Sequence, residues 1–180
     1  IFLDGKNSQI PLVVGSIPKY ETNRSPIDVT KAAVATLTGN TNVEKAYNFF
    51  LSKAGGEFTP EQVCGIIGNL MVESGANANR GDLNPLALNE PEGSFGIAQW
   101  NPSKNAGNRL GALQDFCRER NFNYRELEPQ LEFIKHELYS YSYFGLGLLR
   151  KTKTVEQASR VFEEYYERPA PGSTKNRVSF

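Results

Sequence analysis

The stretch TPEQVCGIIGNLMVESG, residues 59–75, has the pattern of a single amphipathic helix. Thr59 is a typical N-cap residue, and Pro60 stands at the first helical position, where its missing N–H costs nothing. The apolar side chains recur at the helical spacing that places them on one face, namely Val63, Ile66, Ile67, Leu70 and Met71. Gly75 is expected to end the helix. The stretch therefore predicts a core-facing helix with Glu73-Ser74-Gly75 at its end.

Glu73 lies at the edge of this apolar face, about 90° from its centre at 100° per residue. It also stands in the last turn, where the helix dipole disfavours a negative charge. Partial burial and the dipole both raise the pKa of a carboxyl group. A general acid that must hold its proton near neutral pH needs this environment. Glu73 is therefore a candidate catalytic acid, and a solvated glutamate at a helix end is the alternative.

The chain after residue 40 is predicted to be mainly helical. A capping box, Thr41-x-x-Glu44, begins the helix that precedes residues 59–75. Later helices are expected at about 109–120, at about 128–141, and after Thr154-x-x-Gln157, the last ending before Pro169. The longest loop, residues 76–107, is rich in Asn, Pro and Gly and too long for a simple connector. It is a candidate for function.

The predicted organisation has three parts. Residues 1–18 read as two β-strands, residues 19–41 as a polar linker with a possible short helix near residues 29–35, and residues 42–180 as the helical domain. Two strands do not form a stable sheet alone, so these must either pair with strands that this chain lacks or dock on the rest of the chain. Because the chain opens at Ile1 in strand-like sequence, we expect it to be a piece of a longer polypeptide.

Composition excludes several classes of function. Basic and acidic residues both number 20, so the chain lacks the excess of basic residues that is typical of a nucleic-acid-binding protein. The same balance gives no reason to expect attraction to a membrane surface. No apolar run reaches the roughly 20 residues that span a bilayer. His136-Glu137 begins like a zinc-protease motif, but Ser140 stands where the second histidine belongs. With one histidine in the chain, no metal or organic cofactor is expected.

Two cysteines occur, Cys64 and Cys117. Both lie in predicted helices among apolar residues. Free cysteine is among the most buried residue types, so we expect two small buried thiols. A disulfide between them stays open, although nothing in the sequence indicates a secreted disulfide framework.

The order of motifs resembles the phage tail lysozyme family of the lysozyme superfamily. A helix ending in Glu-Ser-Gly is followed by a long polar loop and then by GSFGIAQWN, residues 93–101. Further matching segments are AYNFFL at 46–51, TPEQ at 59–62, RLGAL at 109–113, QLEFIKHEL at 130–138 and YERP at 166–169. The resemblance covers roughly residues 43–180. It implies a lysozyme-like helical domain that hydrolyses the β-1,4 bond between the two amino sugars of peptidoglycan.

The resemblance also implies roles for individual residues. Glu73 would protonate the leaving oxygen, and Gln99, Trp100 and Asn101 would line the sugar groove. An aromatic face can stack on a sugar ring, and amides can bridge hydroxyl and N-acetyl groups. For Trp100 a core aromatic is the alternative, and Gln99 has the alternative of bracing Glu73.

The second catalytic group is open. Asp82 follows Glu73 by nine residues, the spacing of the paired Glu and Asp in another phage lysozyme, but Leu88 replaces the threonine that follows there. Glycoside hydrolases usually pair two carboxylates, and lysozyme is the standard example. Asp82 could instead cap a turn, and Glu90 and Glu92 are weaker candidates. If none serves, Ser94 or Gln99 could hold the water, or the enzyme could be a lytic transglycosylase.

The first eighteen residues resemble the last strands of the oligosaccharide-binding-type barrel in central spike proteins of contractile phage tails. This implies a place in the virion, at the tail tip or baseplate, with action in the host periplasm or cell wall. Peptidoglycan and other tail or baseplate proteins are then the expected partners, and a homotrimer is expected if the spike resemblance holds. A structural tail component that only binds the wall is the alternative from another class of function.

Overall fold

The computed structural model of the chain describes residues 37–75 and 82–168. The helices in these ranges are α1 (Asn42–Leu51), α2 (Pro60–Ser74), α3 (Arg109–Glu119), α4 (Leu127–Ser140), α5 (Leu146–Leu149) and α6 (Val155–Val161). A π-helical segment, Phe162–Glu167, continues α6, and 3₁₀ turns lie at Lys104–Ala106 and Ser142–Phe144. Strands β1 (Leu88–Asn89) and β2 (Ser94–Phe95) form one antiparallel pair. The prediction of a mainly helical domain is confirmed.

The predicted strands of residues 1–18 and all but the last five residues of the predicted 19–41 linker lie outside the described residues. The barrel remnant and the three-part organisation therefore stay predictions. Within the part of the chain that the structure describes, no helix is long and apolar enough to cross a membrane.

The helix starts follow the capping signals. Thr41 Oγ1 accepts the Glu44 N–H at 3.1 Å, and the Glu44 carboxylate accepts the Thr41 N–H in return. At α2 the same exchange joins Thr59 and Gln62. Each pair satisfies two backbone donors that a helix start leaves without partners. The capping motifs therefore predict the first residue of both helices correctly.

Helix α2 is the central element and packs against α1, α6 and the π-helical segment. Gly65 permits the closest approach, because a Cβ there would lie 2.6 Å from the Ala158 Cβ and from the Ser159 nitrogen of α6. One turn later the buried Asn69 donates through Nδ2 to the Ser159 carbonyl (3.1 Å) and hydroxyl (3.2 Å). Gly65 and Asn69, one turn apart on α2, therefore both contact Ser159 of α6.

The long loop carries more structure than the sequence predicts. Residues 82–107 contain the β1–β2 hairpin and a 3₁₀ turn, and they bury Leu83, Phe95, Ile97, Ala98 and Trp100. Residues 82–107, the described part of the loop, therefore contribute side chains to the core. The sequence does not predict this hairpin, because two strands of two residues each are too short to show an alternation of apolar and polar residues.

The two thiols have different environments. Both cysteines are free, and the prediction of burial is confirmed for Cys117 and wrong for Cys64, which is exposed. The buried face of α2 follows positions 63, 66, 67 and 70, so position 64 turns toward solvent. Burial raises the pKa of the Cys117 thiol to about 11, and the Arg120 charge offsets part of that effect.

Candidate active site

The end of α2 is fixed to the loop through the residue after Glu73. The buried Ser74 donates its hydroxyl hydrogen to the Leu70 carbonyl at 2.8 Å and accepts the Asn84 N–H at 3.3 Å. Glu73 itself is neither buried nor fully exposed, as its place at the edge of the apolar face predicts. The Gly75 N–H closes the helix on the Met71 carbonyl at 2.8 Å. Glu73 therefore stands on a rigid helix end, held next to the start of the described loop.

The GSFGIAQWN stretch forms the second strand of the hairpin and a tight turn. Phe95 and Trp100 exchange backbone hydrogen bonds of 3.1 and 2.9 Å, so the chain between them reverses direction. Gly96 has φ 82° and Gln99 φ 45°, and both lie in the left-handed region. Gly96 also lacks room for a side chain, since a Cβ would lie 2.9 Å from the Trp100 ring and from the Gln130 amide oxygen. The glycine is therefore required by space as well as by conformation.

The Gln99 side chain braces this turn. Its Nε2 donates to the Gly96 carbonyl at 3.0 Å and to the Ala87 carbonyl at 3.3 Å, which joins the turn to the residue just before β1. Gln99 is partly exposed. Its predicted contact with sugar stays a prediction, and its hydrogen bonds assign it a structural role as well.

Gln130 of α4 stabilises the same turn through hydrogen bonds of its side-chain amide. The sequence motifs did not indicate this role. Its buried Oε1 accepts the Ile97 N–H at 3.0 Å, and its Nε2 donates to the carbonyls of Pro85 and Tyr124, each at 2.8 Å. One amide thus satisfies three backbone groups from two loops. The available signal was its position, because Gln130 and Glu137 are the two polar residues on a buried face of α4 that is otherwise apolar.

Trp100 lies in the core, and the prediction that its ring lines a sugar groove is corrected. Its relative exposure is 0%. The ring packs edge-on against Phe133, and the indole N–H donates to Glu137 Oε2 at 3.1 Å. A buried indole needs such an acceptor, and a ring covered on all sides has no face for a sugar. Of the two interpretations of Trp100, the structure supports the core aromatic.

Asp82 caps a helix. Its Oδ1 accepts the Val43 N–H at 2.8 Å and its own neighbour's N–H, that of Leu83, at 2.9 Å. Asn42 adds a bond to the Leu83 carbonyl at 2.8 Å. A carboxylate at the N-terminus of α1 satisfies a free backbone donor and the positive end of the helix dipole. The structure thus gives Asp82 a structural task, and its role as second catalytic carboxylate stays an untested prediction.

Ser94 and Asn101 are joined at the base of the hairpin. The Asn101 amide donates to the Ser94 hydroxyl at 3.2 Å, and that hydroxyl donates to the Glu92 carboxylate at 3.3 Å. Ser94 is 2% exposed, whereas Asn101 is partly exposed and Glu92 is exposed. Asn101 also accepts the Ser103 N–H at 2.7 Å. The predicted groove residues Ser94 and Asn101 therefore lie together, and Ser94 reaches solvent only through its neighbours.

The sequence that forms this site matches a known family. The family model described as phage tail lysozyme matches residues 41–179. The chain belongs to the phage tail lysozyme family. It has no match among curated proteins. Membership indicates a lysozyme-like function that acts on peptidoglycan, and a place in a phage tail.

Several segments typical of the phage tail lysozyme resemblance meet in one buried network, which the sequence did not reveal. Glu137 accepts hydrogen bonds from Arg109 Nε (3.0 Å) and Nη2 (2.8 Å) and from the Tyr166 hydroxyl (2.6 Å), in addition to the Trp100 indole. Arg109 also donates to the Tyr166 carbonyl at 3.2 Å. These residues come from the RLGAL, KHEL, YERP and AQW segments. These four residues therefore have a structural role in this chain, because they join the hairpin turn to α3, α4 and the π-helical segment.

Proposed function

We propose that the domain cleaves the β-1,4 glycosidic bond of the peptidoglycan glycan strand, with Glu73 as the general acid, as part of a phage tail that locally degrades the wall during infection. One observation carries the assignment of the residue: Glu73 is a partly buried carboxyl on the last turn of the central helix, in a domain of the phage tail lysozyme family. The turn of Gly96–Gln99 belongs to the loop that follows α2, and Ser74 at the end of α2 anchors that loop through the Asn84 N–H.

The chemistry follows from this placement. The protonated Glu73 carboxyl gives its proton to the glycosidic oxygen as the bond from that oxygen to the anomeric carbon breaks. Water then adds to the anomeric carbon, and the proton released returns to a base. The position of Glu73 near the negative end of the α2 dipole favours the protonated form that the first step requires. Gln99 and Asn101, which are both partly exposed, are the proposed sugar contacts.

A lytic transglycosylase is the second candidate, and the hydrogen bonds of Asp82 favour it. Because two backbone N–H groups hold its Oδ1, Asp82 is less suited to attack or stabilise the anomeric carbon. A transglycosylase needs only one acid/base residue, since a hydroxyl of the sugar itself closes on the anomeric carbon. The two candidates leave different ends on the glycan.

Mass spectrometry of muropeptides released from purified peptidoglycan tests the proposal. We expect reducing-end products from the native domain and a loss of rate of roughly 10²–10⁴-fold in Glu73→Gln, which keeps the shape but has no acidic proton. Glu119→Gln, a loss of an exposed carboxylate at the end of α3, is the matched control and is expected to retain full activity. Anhydro-sugar ends would assign the transglycosylase. Absence of release by the native domain would leave a structural or wall-binding role.

A further inference from the structure

The β1–β2 hairpin presents apolar side chains to solvent. Leu88 of β1 is 51% exposed and Leu86, two residues earlier, is 50% exposed, the highest values among the large apolar side chains of residues 37–75 and 82–168. Asn89, the polar residue of β1, is less exposed than Leu88. A strand that packs on a core normally has the opposite order, with its apolar residue inside. Single exposed leucines are common, but neighbouring ones form a surface of the kind that binds ligands or partners.

The register of the hairpin places Leu88 beside two aromatic rings. Leu88 is paired with Phe95, and the flanking bond from the Gly96 N–H to the Ala87 carbonyl, 2.8 Å long, makes this a non-hydrogen-bonded pair. The side chains of such a pair share one face of the sheet and approach each other closely. The Phe95 ring packs edge-on against the partly exposed Tyr124, with 5.5 Å between ring centres. Leu88, Phe95 and Tyr124 therefore form one apolar face of the hairpin.

Hydrogen bonds connect the two exposed leucines to the candidate active site. The Leu86 N–H donates to the Asn84 side-chain oxygen at 2.9 Å, and the Asn84 N–H donates to the Ser74 hydroxyl at 3.3 Å. Ser74 directly follows Glu73 in α2. The carbonyl of the residue between the two leucines accepts the Gln99 amide at 3.3 Å. The exposed leucines therefore border the proposed site, two hydrogen bonds away from the residue that follows the proposed acid.

A positive charge lies at the edge of the apolar face. Arg125 is exposed, and its guanidinium carbon lies 5.6 Å from the centre of the Phe95 ring. The carboxylate of the neighbouring Glu126 accepts a side-chain amide of the same loop at 3.1 Å. Glu92 of the hairpin accepts the hydroxyl of Ser94, whose side chain points away from that of Phe95 because side chains alternate along a strand. The apolar face is thus suited to a ligand that combines apolar groups with a carboxylate.

We propose that Leu86, Leu88 and Tyr124 bind the peptide stem that the glycan strand of peptidoglycan carries on its sugars, which rests on the function proposed above. The stem is the part of this polymer that combines alanine methyl groups with free carboxylates, whereas the sugar rings present mainly hydroxyl groups. The apolar face with Arg125 at its edge matches the stem, and Asn101 on the polar side of the hairpin matches the sugars. The two leucines are therefore specificity-determining residues, which select glycan that still carries its peptides and take no part in proton transfer.

Cleavage of two substrates prepared from the same peptidoglycan tests the proposal. One consists of soluble glycan strands that keep their stems, and the other of strands from which an amidase has removed them. We expect the native domain to prefer the strands with stems. The double variant Leu86→Ser, Leu88→Ser should lose roughly tenfold in kcat/KM on the strands with stems, mainly through a higher KM, because two apolar contacts are removed. Its rate on the stripped strands should not change.

Leu148→Ser is the matched control for the loss of an exposed leucine. Leu148 of α5 is 42% exposed, and the carbonyl of the nearby Arg150 accepts the Gln62 amide in the first turn of α2, the end opposite Glu73. This variant should cleave both substrates at the native rate. An equal loss of the double variant on both substrates, or a loss on neither, would overturn the proposal. A native domain that is dimeric in sedimentation while the double variant is monomeric would also overturn it, because a second copy would then cover the leucines.

A binding measurement on the unmodified domain gives a second test that needs neither activity nor a variant. The NMR signals of the Leu86 and Leu88 methyl groups should shift when a soluble disaccharide with its peptide stem is added, and should stay in place with the same disaccharide without the stem. No shift with the first ligand, or an equal shift with both, would contradict the proposal even if the double variant failed to fold. Stem-dependent shifts without any cleavage by the native domain would refute the proposed function and leave the stem site standing. Cleavage that is equally fast with and without stems would do the reverse.

Discussion

Glu137 accepts four hydrogen bonds with a side chain that is 0% exposed. Burial lowers the pKa of the Arg109 guanidinium, but the charge and hydrogen bonds of Glu137, together with Tyr166 and Glu167, outweigh that effect and raise the pKa overall. Burial first, and then the Glu137 charge, raise the pKa of the Tyr166 hydroxyl well above its usual range. The group is therefore a fixed ion pair with two neutral donors, and it ties α3, α4, the hairpin turn and the π-helical segment to one point.

At the residue scale, Glu137→Gln is expected to be severely destabilising. It leaves the Arg109 charge buried without a counter-charge, which costs about 3–5 kcal/mol of unfolding free energy. Asp115→Asn breaks the Arg118–Asp115 pair, of similar length at 2.6 Å but with both side chains more than half exposed, and should cost under about 1 kcal/mol. Urea unfolding of both variants measures the difference. Equal losses would show that the Glu137 pair is worth no more than a surface pair.

The sequence did not identify this pair for a definable reason. In the sequence, Glu137 is the second residue of an incomplete zinc-protease motif. On α4 it occupies the buried face with Leu131, Ile134 and Leu138, and a charged residue at a core position of a helix is itself a signal. The identity of its partner could not be predicted, because Arg109 is 28 residues away in the chain and the pairing depends on how α3 packs on α4.

At the element scale, the contact of α2 with α6 depends on Gly65. Gly65→Ala improves the helix propensity of α2 by about 1 kcal/mol. Its new methyl group would stand 2.6 Å from the Ala158 Cβ, and the overpacking costs roughly 1–3 kcal/mol, so we expect a lower melting temperature. Gly147→Ala in α5, where a Cβ would meet nothing within 4 Å, is the matched control and should be neutral or slightly stabilising. A Gly65→Ala protein as stable as the control would show that α6 can move away without cost.

The local elements of this domain could be predicted from the sequence, but the residues that stabilise them from distant positions in the chain could not. The Thr41 and Thr59 capping boxes and the apolar face of α2 are encoded within a few residues, and each was located correctly. The hairpin turn depends on Gln130, which acts from 33 residues away on the Ile97 N–H. An α-helix is also predicted where the structure has the π-helical segment. A π-helical hydrogen bond spans five residues and an α-helical bond spans four, and the spacing of apolar residues does not distinguish the two.

On the scale of the whole molecule, the same distinction divides the candidate site. The position of Glu73 at the end of the helix could be predicted because it depends only on α2, while its catalytic role stays a prediction. The family resemblance implies a groove position for Trp100, whereas its buried position depends on the Glu137 acceptor in a different helix. Asp82 was chosen by spacing, while its carboxylate faces the start of α1, 39 residues earlier in the chain. Family motifs thus mark the residues that matter without dividing those that contact substrate from those that hold the frame.

His136 gives the whole domain a pH dependence that can be separated from that of the site. Its ring lies 5.0 Å from the Phe116 ring and 6.0 Å from the Phe133 ring, centre to centre. Burial first, and the Arg120 charge second, lower the pKa of this imidazole below its ordinary value. When the folded-state pKa is the lower one, the unfolded chain binds the proton first as the pH falls. The histidine therefore contributes no penalty at neutral pH and destabilises the fold as the pH falls through about 6.5.

Unfolding free energies at about pH 7.5 and about pH 5.5 isolate this effect, because the chain has only one histidine. The unmodified domain is expected to lose stability between the two values. His136→Phe keeps an aromatic ring against Phe116 and should lose less. Burial also raises the pKa values of Glu128 and Glu132, whose stabilisation is lost as the pH rises above their ordinary 4.5, but both proteins share those groups and the comparison cancels them. Equal losses in the two proteins would show that His136 is not the source of the pH dependence.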